Sequence, residues 1–121
     1  MAKNVLVVDD SPTMRNMLKA AMQEQGFEVT MAEDGVDALK VVAKQKWDII
    51  ITDINMPNMD GIELIRELRQ IETCKFTPIL VITTEGGDTA KKAGKDAGAS
   101  GWMVKPFNPD TLTKAVQKLC A

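Results

Sequence analysis

Polar side chains that could do chemistry follow four separate apolar runs of this chain. Three carboxylates, two hydroxyls and one ammonium stand at these positions: Asp9, Asp10, Asp53, Thr83, Thr84 and Lys105. Each of them alone is more often a turn or cap residue, but the whole set at four run ends is improbable by chance. Asp53 has the central place. The run before it, Ile49-Ile50-Ile51, lacks polar alternation and is typical of a strand that is buried on both faces.

The acids among these residues favour a metal site. Carboxylates that lie close together repel by roughly 4 kcal/mol per pair at an effective dielectric near 20, and one lysine cannot neutralise three of them. A divalent cation can. The chain contains no histidine, so imidazole is excluded as ligand, base or nucleophile. Oxygen ligands, two or three of them acidic and the rest water, are typical of Mg²⁺, which we predict as the cofactor.

The elements that must position these residues follow from the alternation of apolar runs with amphipathic segments. Capping residues and prolines indicate helix starts at Ser11-Pro12, Asp34-Gly35, Asp60-Gly61 and Asn108-Pro109. Five strands that alternate with five helices predict an α/β fold with one doubly wound, five-stranded parallel sheet and right-handed crossovers. The carboxyl ends of parallel strands share one edge, so we expect the polar residues to meet there.

The fourth predicted helix, between Gly86 and Gly98, has the weakest sequence signal. Its apolar stripe consists of Ala90, Ala93 and Ala97, and Gly94 lowers the helix propensity by ~1 kcal/mol relative to alanine. A loosely held helix is a candidate for movement.

Length and composition limit the classes of function. We expect a single domain over residues 1–121 with no output domain, because 121 residues can bury one sizeable core. A net charge of −2 argues against nucleic-acid binding. Cys74 and Cys120 form no CxxC motif and indicate reduced thiols. No segment is typical of a signal peptide or a membrane span, so we expect a cytoplasmic protein without membrane partners. We also expect it to be a monomer.

The chain resembles the receiver domains of two-component response regulators, and most closely the single-domain chemotaxis regulators of the CheY type. The resemblance spans essentially the whole chain and rests on motifs in the family's order and spacing: Asp9-Asp10, Asp53, Thr83 and Lys105-Pro106-Phe107. It implies a flavodoxin-like (β/α)5 fold with strand order 2-1-3-4-5. It also implies a cis peptide bond between Lys105 and Pro106.

The resemblance implies roles for the acidic residues. Asp53 would accept a phosphoryl group from a phosphohistidine on a histidine kinase, as carboxylates do in aspartyl-phosphate enzymes. Asp10 and Asp53 would bind Mg²⁺ through their side chains and Asn55 through its backbone carbonyl. Asp9 would act largely through water.

The same resemblance assigns the remaining site residues. Lys105 and the Thr83 hydroxyl would each contact an oxygen of the phosphoryl group. Trp102 stands three residues before the lysine, where the family carries an aromatic residue, often tyrosine, that turns inward when the threonine moves. The simpler alternative is that Trp102 fills a surface alcove, because tryptophan is readily partly buried. Tryptophan is larger than tyrosine and lacks its hydroxyl.

These features predict a signalling switch that promotes its own phosphorylation and dephosphorylation and is not a turnover enzyme. Its output would be a flagellar motor switch protein or another partner, bound by helix four, strand five and helix five; alternatively, it drains a shared kinase as a phosphate sink. A mononucleotide binder is disfavoured, because Asp9-Asp10 would repel phosphate without a metal. An aspartyl-nucleophile phosphatase is disfavoured because Asn55 stands where its second aspartate would be.

Overall fold

The computed structural model describes residues 3–120, in which five strands alternate with five helices. The strands are β1 (Lys3–Val8), β2 (Phe27–Ala32), β3 (Ile49–Thr52), β4 (Ile79–Thr83) and β5 (Gly101–Val104). The helices are α1 (Pro12–Glu24), α2 (Gly35–Val42), α3 (Gly61–Leu68), α4 (Asp88–Ala97) and α5 (Pro109–Leu119). Within these residues, no helix is long and apolar enough to cross a membrane.

All five strands are parallel and form one sheet in the order β2-β1-β3-β4-β5, which confirms the predicted fold class and strand order. Successive side chains of a strand point to opposite faces, so Leu6 and Val8 enter one core while Val5 and Val7 enter the other. The first core packs against α2 and α3, and the second against α1 and α5. Two cores explain why the central strands are apolar without alternation.

The helices begin at the predicted caps. The side chains of the four capping residues each accept a hydrogen bond from a backbone N–H two or three residues later: Ser11, Asp34, Asp60 and Asn108. Capping bonds of this kind satisfy N–H groups that have no partner inside the helix. Because Asp60 caps α3, Asp53 remains available for another task.

One apolar side chain of α1 does not face the core. Met17 recurs at helical spacing in α1 but is 50% exposed, because the inner face of that helix is centred on Leu18 and Met22. The strand before Asp53 starts at Ile49, the first residue of the predicted apolar run. Trp47 is buried ahead of it, and its indole N–H donates to the carbonyl of Val42 at the end of α2 (3.0 Å).

Candidate functional site

Three carboxylates meet at the carboxyl edge of the sheet, as predicted. Asp9 and Asp10 follow β1, Asp53 follows β3, and one oxygen atom from each lies within 4.8 Å of the others. The register places them together, because Val8 pairs with Thr52 at the ends of these neighbouring strands. Asp9 and Asp53 are buried, whereas Asp10 is exposed. The cluster is therefore open to solvent on the side of Asp10.

Lys105 joins the cluster from the segment that follows β5. Its Nζ lies 2.9 Å from Asp9 Oδ2 and 2.8 Å from Asp53 Oδ2. The Lys105-Pro106 peptide bond is cis, as the resemblance implied. Burial by itself lowers the pKa of Lys105, but its hydrogen bonds and charge attraction to Asp53 and Asp9 outweigh burial and raise the pKa above its ordinary value. Lys105 is thus an ammonium group at neutral pH.

The donor set fits a divalent cation. Three carboxylates against one ammonium leave two unbalanced negative charges, and a carboxylate pair at 4.8 Å repels by about 3.5 kcal/mol at an effective dielectric of 20. The groups are hard oxygen donors, and the solvent-facing Asp10 leaves room for the waters that Mg²⁺ retains. Oxygen chemistry and residual charge both favour Mg²⁺ here.

Local hydrogen bonds hold the Asp53 carboxylate in place. Its Oδ1 accepts from the backbone N–H groups of Ile54 (2.6 Å) and Asn55 (3.4 Å), while Oδ2 faces Lys105. The backbone of residue 61 packs so closely against Asp53 that only glycine fits there, because a Cβ atom would overlap the carbonyl oxygen of Asp53. The carboxylate is therefore fixed before any ligand binds. The Asn55 side chain is exposed, and its backbone lies in the same loop.

Thr83 lies at the same edge of the sheet, at the end of β4 beside β3. It is fully buried, and its Oγ1 accepts from the backbone N–H of Glu85 (3.3 Å). The second predicted hydroxyl, Thr84, is exposed. Thr83 therefore places a buried hydroxyl at the edge of the sheet that carries the acids, where it could contact a bound anion. Thr84 faces solvent.

Glu85 connects the parts of the site and was not predicted from the sequence. Its carboxylate accepts from the Asn55 side-chain amide (3.4 Å), and its carbonyl accepts from the Trp102 indole N–H (2.9 Å). With the bond to Thr83, Glu85 touches the acid-bearing loop, the buried hydroxyl and the aromatic residue. An exposed glutamate in a glycine-rich loop gives no signal for this, apart from its position two residues after Thr83.

Trp102 lies half-buried on β5, over α4. A Cβ atom at Gly94 would overlap Trp102 Cζ3 and lie 3.0 Å from Cε3, so the indole occupies the space that the glycine leaves open. The indole N–H donates a hydrogen bond to the Glu85 carbonyl in the loop that follows Thr83. Trp102 therefore fills an alcove and is at the same time bonded to the loop that follows Thr83.

Comparison with known sequences identifies the family. Residues 5–117 match the response regulator receiver domain family. The chain is 39% identical over 116 residues to chemotaxis protein CheY-3 of Vibrio cholerae, which covers 95% of this chain and 89% of that protein. It is 41% identical over 115 residues to chemotaxis protein CheY1 of Helicobacter pylori, which covers 93% of each.

Solved structures agree with the sequence matches. The chemotaxis response regulator CheY4 of Vibrio cholerae superimposes with a TM-score of 0.93 at 46% identity, over 98% of this chain and 99% of that one. The receiver domain of a sensor histidine kinase from Pseudomonas aeruginosa, solved with a magnesium ion coordinated in its active site cleft, superimposes with a TM-score of 0.92 at 27% identity, over 99% and 98%. The chain therefore belongs to the response regulator receiver domains of two-component systems, and its relatives include chemotaxis regulators of the CheY type.

Proposed function

We propose that this receiver domain is a phosphorylation-dependent switch in which Asp53 accepts a phosphoryl group from a histidine kinase in the presence of Mg²⁺. The observation that carries the proposal is the environment of Asp53: a buried carboxylate held by Lys105 and two backbone N–H groups, beside two further acids. Receiver domains of this type are signalling proteins and not classical enzymes.

Each residue has a separate task in the transfer. The Asp53 carboxylate attacks phosphorus without a general base; an oxygen–phosphorus bond forms, and the phosphorus–nitrogen bond of the phosphohistidine breaks. The imidazole leaves with the bonding electrons and takes up a proton. Mg²⁺, held by Asp10, Asp53 and the Asn55 carbonyl, with Asp9 largely through water, would offset the phosphoryl charge. Lys105 offsets charge on another phosphoryl oxygen.

The path of the signal runs through Glu85. The Thr83 hydroxyl accepts from the Glu85 N–H and keeps its own O–H free to donate to a phosphoryl oxygen. A movement of Thr83 toward the phosphoryl group would therefore pull on Glu85, whose carbonyl accepts from the Trp102 indole. A shift of the ratio of active to inactive conformation from 1:99 to 99:1 requires about 5.5 kcal/mol. One hydrogen bond to a charged oxygen contributes about 1.5–3 kcal/mol. Thr83 alone cannot drive the full change, so Lys105, the loop and a bound partner must contribute.

The output face of the switch comprises α4, β5 and α5. It carries exposed lysines that would attract an acidic segment of a partner: Lys91, Lys92, Lys95, Lys114 and Lys118. A shallow pocket lined by Lys91, Lys95 and Trp102 lies on this face. The chemotaxis relatives favour a flagellar motor switch protein as the partner, and a phosphate sink for a shared kinase is the alternative.

The organisation of the protein forms part of the proposal. We assign a monomeric, cytoplasmic regulator; the matched region spans 89% and 93% of its chemotaxis relatives. The two cysteines of the described residues are free thiols, which suits a reducing compartment.

Partner binding with a stable phosphoryl mimic tests the proposal and separates switch from sink. Beryllofluoride is added with Mg²⁺ to the immobilised chain, and retention of the motor switch protein from the same cells is measured. A switch retains it only with the mimic, and Thr83→Ala retains it poorly although Asp53 still accepts phosphate. A sink retains it in neither condition. If Thr83→Ala and the parent bind the motor switch protein equally well with the mimic, the proposed signal path through Thr83 is excluded.

A further inference from the structure

The loop between β3 and α3, residues 53–60, is held by a hydrogen bond from Asn58. Asn58 has a φ of 68°, and it is the one non-glycine residue with a positive φ among residues 3–120. Asparagine adopts this left-handed conformation more readily than most residues. Its Nδ2 donates to Oδ2 of Asp34 across 2.8 Å. The loop that follows Asp53 is thereby tied to the loop between β2 and α2.

Asp34 is a rigid anchor for this bond. It is 6% exposed, and its Oδ1 accepts from the Asp37 N–H (2.8 Å) as the N-cap of α2. The Asp37 N–H and the Asn58 amide hold the pKa of Asp34 below its ordinary value, despite burial, so the carboxyl is charged at neutral pH. Next to it, a Cβ atom at Gly35 would lie 2.7 Å from Met59 Cγ. The Met59 side chain therefore packs against the start of α2.

Both ends of the loop are fixed near the acids. At one end, Asp53 Oδ1 accepts from the N–H groups of Ile54 and Asn55. At the other end, the Gly61 N–H donates to the Ile54 carbonyl (2.9 Å). Asn58 lies between these two points, in the middle of the loop, where the backbone forms no regular hydrogen-bond ladder. Its bond to Asp34 therefore restrains this part of the loop.

We propose that Asn58 is a positioning residue for the magnesium site, which it supports through its hydrogen bond to Asp34. The inference rests on the proposed function, because it requires Mg²⁺ to bind at Asp10, Asp53 and the Asn55 carbonyl. With the Asn58 bond in place, the loop that carries this carbonyl is already ordered before the ion binds. Without it, ordering the loop opposes binding, and Mg²⁺ affinity should fall by about tenfold, as for other residues that orient metal ligands.

Three variants separate positioning from charge. Asn58→Gly accepts the positive φ but removes the amide. Asn58→Asp places two carboxylates against each other, although the added charge alone would strengthen Mg²⁺ binding. Asp34→Asn combined with Asn58→Asp keeps the parent's charge and restores the bond with donor and acceptor exchanged. The introduced asparagine amide donates across the gap, while its oxygen still caps α2.

Calorimetric titration of the full chain with MgCl2 measures the affinity directly, and far-UV circular dichroism verifies that each variant is folded. We expect binding about tenfold weaker for Asn58→Gly, weaker binding for Asn58→Asp, and an affinity within about twofold of the parent for the exchanged pair. Parent-like affinity in Asn58→Gly, or tighter binding in Asn58→Asp, would overturn the inference. If the parent itself binds no Mg²⁺, the proposed function and this inference both fail. That result differs from one in which the parent binds Mg²⁺ and only the role of Asn58 is wrong.

Discussion

Substituting Gly94 with alanine tests the contact between α4 and Trp102. In an isolated helix, Gly94→Ala would stabilise by about 1 kcal/mol, because alanine has the higher helix propensity. In this protein the added Cβ atom would overlap Trp102 Cζ3 and press on Cε3, which lies 3.0 Å from it. The indole must therefore move outward, which stretches its hydrogen bond to the Glu85 carbonyl.

The size of the effect follows from two opposing contributions. Overpacking costs about 1–3 kcal/mol, and the gain in helix propensity offsets about 1 kcal/mol of it. Gly94→Ala should therefore destabilise the parent by about 0–2 kcal/mol. In a Trp102→Ala background the overlap is absent, and the same substitution should stabilise by about 1 kcal/mol. The two values differ by a coupling energy of about 1–3 kcal/mol.

Urea unfolding followed by far-UV circular dichroism gives the four free energies of this cycle. The exposed neighbour Lys92 supplies a matched control, since Lys92→Gly should cost about 0.5–1 kcal/mol in both backgrounds. Tryptophan fluorescence of Gly94→Ala should shift to the red, because Trp102 moves toward water while Trp47 stays buried. A stabilised Gly94→Ala variant with an unchanged spectrum and no coupling would refute the contact between Gly94 and Trp102.

Three further substitutions test the charges of the site and the anchoring of α4. Lys105→Met should destabilise the metal-free protein by about 3 kcal/mol, because it leaves Asp9 and Asp53 facing each other unpaired. Folding raises the pKa of Lys105, so the stability that its charge contributes is fully present below pH 10.5, the ordinary pKa of lysine. This stability is lost as the pH rises through the pKa of the folded state. Stability curves of parent and variant that converge already at about pH 8 would contradict this prediction. Asp53→Asn removes one of three close carboxylates, so its Tm without Mg²⁺ should equal or exceed that of the parent, and a clearly lower Tm would show that the bond to Lys105 outweighs the repulsion. Arg69→Met should lower the free energy of unfolding, measured in urea, by about 2–3 kcal/mol. The guanidinium donates to four backbone carbonyls, including that of Gly98 at the end of α4. A loss under about 0.5 kcal/mol would argue against this anchoring.

The fold and the strand-end residues were predictable because they depend on periodicity and chain order. Uninterrupted apolar runs such as Ile49–Ile51 indicate strands buried on both faces, and parallel strands bring their carboxyl ends to one edge. Asp53 and Lys105 could therefore be placed together although 52 positions separate them. The strand order and the cis peptide bond before Pro106 came from the family resemblance, because neither follows from residue patterns.

The contacts between loops were not predictable in the same way. Glu85 acts largely through its backbone N–H and carbonyl, which every residue type except proline carries, so its side chain gives no sign of this role. Gly94 could be recognised only as a weak helix former, because its significance depends on how close Trp102 lies in space. The bond between Asn58 and Asp34 joins two loops that share no periodic pattern. Such contacts depend on tertiary packing and follow from no local preference.

Phosphoryl transfer to Asp53 is the most direct test of the central claim. Radiolabelled phosphoryl groups are supplied on a purified histidine kinase, and label on the receiver is followed for the parent and for Asp53→Asn, each with Mg²⁺ and with EDTA. We predict rapid labelling of the parent with Mg²⁺ and none in the other three reactions, because Asp53 is the acceptor and the ion offsets the charge of the acid cluster. Labelling of Asp53→Asn at the parent rate, or undiminished labelling of the parent in EDTA, would contradict the assignment of Asp53 and Mg²⁺.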